Sequence, residues 1–107
     1  MTSDLGELVE VLRQIQALVL EGRDAFDTDS RQRWSIERLW IHAGNLANDL
    51  ALGTIPTEVV SDLVGVRVVY AHIWPSNLDA NRVWEDSQQV NDILARIVGD
   101  VASDASE

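Results

Sequence analysis

The chain has 107 residues, 46% of them hydrophobic and 24% charged, with eight arginines, no lysine and 18 acids for a formal charge of −10. That length builds one domain with one core, of ordinary globular composition, and no apolar run approaches the ~18 residues of a membrane span. The charge argues against a broad basic surface for nucleic acid while leaving room for a small cationic pocket, and the absence of cysteine excludes disulfides and thiolate metal sites.

The start, "MTSDLGELVE", is acidic and amphipathic, unlike a signal peptide, so a cytoplasmic location is expected. A first helix is predicted over about 4–22. Ser3 serves as N-cap, and Leu5, Leu8, Val9, Leu12, Ile15 and Val19 recur at helical spacing. The segment "RDAFDTDS" reads as a link rich in cap and turn formers, from which Asp29 or Ser30 starts a second helix over 30–51. Its inner stripe is expected to hold Trp34, Leu39, Trp40, Ala43, Leu46, Ala47 and Leu50. After the break "LGTIP", Pro56 opens a third helix over 57–73 whose apolar positions include Val59, Val60, Leu63, Val64 and Val66. Pro75 disfavours helical geometry at Trp74 and stops it. "PSNLDAN" then turns into a fourth helix over 79–98, with Val83, Val90, Ile93, Leu94 and Ile97 inward and a small acidic tail over 99–107. Four helices with short connections predict an all-α, antiparallel four-helix bundle.

The stretch "GVRVVYAHIWPSN", 65–77, carries Arg67 and His72 in an otherwise apolar run. Neither side chain is cheap to bury unpaired. His72 falls in the last helical turn, where the carbonyl end of the dipole attracts a cation, and histidine is the usual proton carrier near neutral pH. Arg67 lies five residues earlier, about 7.5 Å along the axis and about 140° around it, so the two converge only by reaching around the helix or across a symmetric dimer. A permanent cation and a proton carrier suffice for cleaving RNA without a metal or other cofactor: one holds phosphate, the other moves a proton. The local charge from Leu63 to Trp84 agrees, with Arg67 and Arg82 against Asp79 alone. The same residues also fit a plain structural role, a histidine capping the helix and an arginine snorkelling to water.

The sequence resembles the HEPN family of small helical proteins, specifically its HepT-like branch from prokaryotic toxin–antitoxin pairs, over about residues 5–98. At the centre of the likeness is "RVVYAH", Arg67 to His72, an arginine and a histidine closing the third helix. "ERLWIHAGNLA" at 37–47, "IP" before the third helix, "GVR" leading into the motif and "LDANRVW" opening the fourth helix match as well. The resemblance implies a homodimer with both motifs near the interface. It further implies a metal-independent endoribonuclease, Arg67 and His72 catalytic, neutralised by a minimal nucleotidyltransferase antitoxin. Three positions depart from the branch: Val68 replaces an asparagine, Trp74 a tyrosine and Asn45 a glutamate. The tyrosine is the hydroxyl that some antitoxins adenylylate, which Trp74 does not offer; Tyr70 stands nearby at a different offset. Tyr70, Trp74 and Asn45 are therefore expected to shape the site or touch substrate. The alternative is a catalytically inactive HEPN-like subunit that binds and positions a nucleotidyltransferase.

Outside the motif, His42 in "LWIHAG" is expected to be a core or interface histidine satisfied by hydrogen bonding. In "RQRWSIER", Arg31, Arg33 and Arg38 are expected to pair with Asp27, Asp29 and Glu37, a phosphate or partner contact with Trp34 stacking being the other reading. Trp34, Trp40 and Trp84 fit inward stripes; Trp74 would line a pocket rim or dimer interface.

Overall fold

The computed structural model describes residues 4–51, 53–72 and 79–105, and among them every regular element is helical. In chain order these are α1 (Asp4–Leu20), α2 (Arg23–Thr28), α3 (Ser30–Asp49), α4 (Thr57–His72), α5 (Ala80–Gln88) and α6 (Val90–Ala105). No helix among these residues is long and apolar enough to cross a membrane. Ser3, Trp74, Pro75 and most of "PSNLDAN" lie outside the described residues.

Two elements depart from the sequence reading. The expected link "RDAFDTDS" contains α2, which buries Phe26 against Trp84 with ring centroids 5.2 Å apart. Gly22, at φ 98°, lets the chain turn into this helix in the left-handed region that a side chain would resist. The Arg23 guanidinium lies over both rings and bonds Asp27 and Asn81, which fastens α2 to the start of α5. The expected fourth helix is interrupted at Gln89, whose N–H bonds back three residues to Asp86 rather than four. Ser87, just before the interruption, is fully buried and donates its hydroxyl to the carbonyl of Val83, a back-bond that bends helices. The same hydroxyl accepts from Trp40 Nε1 at 3.0 Å, so the indole is satisfied inside the core.

Asp29 caps α3 by accepting from the Arg31 N–H at 3.0 Å. α3 runs antiparallel to α1, with His42 beside Glu7 at one end and Gln32 bonded to the Leu18 carbonyl at the other. It is also antiparallel to α4, and α6 returns along α4 with Arg96 bonding Glu58 at 2.9 Å. The core gathers Leu8, Leu12 and Ile15 of α1, Ile36 and Trp40 of α3, Val59 and Leu63 of α4, and Val83, Val90, Ile93, Leu94 and Ile97 beyond. The inward residues of the last segment are those the periodicity indicates. Trp34 is not inward: half its surface is exposed, because α3 buries the stripe through Ile36, Trp40, Ala43 and Ala47 instead.

α3 and α4 come very close at Gly44. A Cβ built there would collide with Arg67 Cβ and stand 2.8 Å from the Leu63 carbonyl oxygen, both on α4. Gly44→Ala must therefore part α3 from α4, at a cost of about 1–3 kcal/mol. Gly65→Ala, with nothing within 4 Å, should instead gain about 0.5–1 kcal/mol from helix propensity. Thermal unfolding of the two variants should move Tm in opposite directions, and an unchanged Tm for Gly44→Ala would contradict the close approach.

Candidate functional site

Arg67 and Asn45 come together. The Arg67 Nε donates to Asn45 Oδ1 at 2.5 Å, which points the guanidinium out along the α3–α4 seam. The contact follows from Gly44: only a residue without Cβ lets the backbone of α4 come this near, and Asn45 is the next residue on α3. Arg67 is thus half-buried at its stem and polar at its end, the usual compromise for an arginine on an apolar helix.

His72 is exposed in the last turn of α4, and its ring makes no hydrogen bond with another described residue. No hydrogen bond joins it to Arg67 within one chain, and the helical offset of about 140° sends the two side chains to different faces. Val68, 41% exposed, shares the outer face of α4 with His72, Gly65 and Ser61, an uncharged stripe.

Tyr70 points the other way, into the molecule. It is buried, and its hydroxyl donates to Asp86 Oδ2 at 2.7 Å. Burial, then the bond to Asp86 and the Asp86 charge, hold the phenol far above its usual pKa, so it stays protonated. Its hydroxyl is spent on holding α4 to α5. Trp74 lies outside the described residues.

Beneath this end of α4 sits a buried carboxylate, expected from the sequence as a partner for the arginines of α3. Glu37 is 4% exposed, and its Oε1 has no hydrogen-bond partner among the described residues. Arg33 Nε, one turn before it, is also buried without a partner. The signal was present in the spacing: Arg33, Glu37, Trp40, Gly44 and Ala47 follow a 4-3-4-3 pattern, which puts the charged pair on the same stripe as the core. Burial raises the Glu37 pKa above the ordinary glutamate range, against the opposing pull of Arg33.

The ion pairs expected for Arg31, Arg33 and Arg38 do not form among the described residues. Asp27 is taken by Arg23 and Asp29 by the helix cap, while Arg31 and Arg38 make no ion pair among the described residues. His42 is exposed rather than core, 3.4 Å from Glu7 Oε1, because it falls on the outer side of α3. No three His, Asp or Glu side chains among the described residues converge to hold a metal ion.

The comparisons are silent. No family model, curated protein or solved structure matches the chain.

Glu37 yields a pH prediction. A folded-state pKa above the unfolded one means the native chain holds the extra proton, so stability is full below the ordinary glutamate pKa and falls as pH rises through the raised value. Glu37→Gln mimics the protonated form. Its Tm should exceed wild type at neutral pH, and the gap should close as pH falls into the ordinary glutamate range. A gap that does not vary with pH would contradict this.

Proposed function

We propose that the chain is a HepT-like ribonuclease of the HEPN family, a four-helix bundle acting as a homodimer, in which Arg67 binds the scissile phosphate and His72 moves protons. The observation that carries the reading is the placement of Arg67 and His72, both reachable by solvent in the C-terminal half of α4, where they are the only titratable side chains besides the buried Tyr70. In this chemistry an imidazole takes the proton of a ribose 2′-hydroxyl, whose oxygen attacks the adjacent phosphorus. The 5′-oxygen leaves with a proton from an imidazolium, giving a 2′,3′-cyclic phosphate and a 5′-hydroxyl. The Arg67 guanidinium holds the charge that grows on the phosphate oxygens. Asn45 orients that guanidinium through its bond to Nε. No step calls for a cofactor, and the reaction suits the cytoplasm.

Because Arg67 and His72 diverge on one helix, the reading places them together across the dimer, with the uncharged stripe of Ser61, Gly65 and Val68 between the two copies. A minimal nucleotidyltransferase is the antitoxin this reading calls for. With Tyr70 buried against Asp86, its hydroxyl offers such an enzyme no acceptor, so neutralisation would proceed by binding.

A second reading has its own support. Arg67 is already engaged by Asn45, and His72 has no described partner, which also suits a silent HEPN-like subunit that holds a nucleotidyltransferase.

Induced expression in a bacterial host separates the two. Wild type should arrest growth, and His72→Ala at matched protein level should not. Equal growth of both strains would remove the ribonuclease reading. Mixing Arg67→Ala and His72→Ala chains should restore part of the activity if the groups act across the dimer, up to about a quarter of wild type for random pairing with one intact site per mixed dimer. Absence of rescue would place the two groups in one chain.

A further inference from the structure

α3 differs from every other helix in this acidic chain. Among the described helices it is the only one whose arginines outnumber its acids: Arg31, Arg33 and Arg38 against Glu37 and Asp49. Glu37 is buried and Asp49 closes the helix, so the outer face between them presents no negative charge. On that face Trp34 is 50% exposed, flanked by Arg31 three residues before and Arg38 four residues after. Residues at these spacings are neighbours on a helix surface. Neither arginine has an ion-pair partner among the described residues, and the two nearest preceding acids are engaged elsewhere, Asp27 by Arg23 and Asp29 by the helix cap.

Beside Arg38 opens a cleft of about 590 Å³ between α1 and α3, lined by Gln14, Ala17, Leu18, Ser35, Arg38 and Leu39. Its floor is apolar, its rim offers an amide, a hydroxyl and a guanidinium, and none of its lining residues is acidic. Two of the acids of α1 and its turn are engaged at its ends, Glu21 by Gln32 at 2.7 Å and Glu7 by His42. Beyond His42, the face reaches Asn45, which holds Arg67. From Arg31 to Asn45 the track is about 21 Å long, at 1.5 Å per residue.

We propose that this face of α3 binds single-stranded RNA, with Arg31 and Arg38 on successive phosphates, one base stacked on Trp34 and another in the cleft beside Ser35. An exposed indole between two free guanidiniums is the combination that holds a single strand: cations track the backbone while an aromatic face takes a base of any identity. A duplex keeps its bases stacked on one another and would leave both Trp34 and the cleft unused. The inference rests on the ribonuclease reading for its purpose, because the track delivers the strand to Arg67. The binding itself does not depend on cleavage.

The test uses wild-type chain and a fluorescein-labelled, fully 2′-O-methylated oligoribonucleotide, which has no 2′-hydroxyl to attack and cannot be cut. Anisotropy titrations should show binding that weakens with salt. The Arg31→Ala/Arg38→Ala double variant should bind at least tenfold more weakly and lower the slope of log Kd against log salt by about 1.4, two contacts at about 0.7 each. Arg31→Lys/Arg38→Lys should recover most of the loss. Trp34→Ala should weaken binding about tenfold and Trp34→Phe much less. Arg96→Ala, on the opposite side, should leave Kd unchanged. No binding by wild type, or equal binding by the double variant, overturns the inference. So does displacement of the strand by polyglutamate as readily as by polyuridylate at equal charge, which would mark a surface for acidic protein segments. A chain that binds the methylated strand through this face yet leaves unmodified RNA intact keeps the inference and removes the ribonuclease reading.

Discussion

α3 and α4 cross where Gly44 faces Leu63 and Arg67, closer than any side chain would permit. That approach fixes the relative height of the two helices, and what surrounds the candidate site follows from it. One residue on, Asn45 meets the Arg67 Nε and turns the guanidinium toward solvent. Seven residues back along α3, Glu37 is carried under the end of α4 and loses its water. On the side of α3 turned away from α4, Arg31, Trp34, Arg38 and His42 are left exposed.

The other half of α4 is held by polar bonds inside the structure. Tyr70 reaches Asp86 and Trp40 reaches Ser87, so α3 and α4 both attach to the short helix α5 within two consecutive residues of it. Ser87 also bonds its own helix at Val83, and the chain bends at Gln89 before α6 sets out. The bend seats Val90, Ile93, Leu94 and Ile97 in the core while bringing Asp86 up to the phenol. Polar groups of this kind constrain geometry more than they add net stability, since each bond replaces one to water. Glu37 and Arg33 are the exception, buried together with atoms left unbonded.

Much of the helical content was legible in the sequence, because apolar residues at 3.6 spacing must share a face and the strongest such runs are long. Asp29 as a cap and the inward set of the last segment follow from local chemistry alone. Trp34, expected on the inner stripe, stands two positions from Ile36 and so faces another way. Glu37, expected only as a partner for the arginines of this helix, is buried because it stands on the stripe of Trp40 and Gly44. Phe26, isolated among turn formers, gave no period to read, and its helix is held by packing against Trp84 from elsewhere in the chain, with Arg23 of the same helix over both rings. The pairing of Asn45 with Arg67 spans 22 residues and depends on the glycine beside it, which no local pattern announces.

The central claim is that Arg67 and His72 perform chemistry on RNA, and the direct measurement is end analysis of RNA incubated with the purified chain in the presence of EDTA. The account predicts fragments with 2′,3′-cyclic phosphate and 5′-hydroxyl ends from wild type, falling by at least about a hundredfold for His72→Ala, the scale of a lost general acid–base group. Intact RNA with wild-type protein, or the same fragments from His72→Ala, would contradict it.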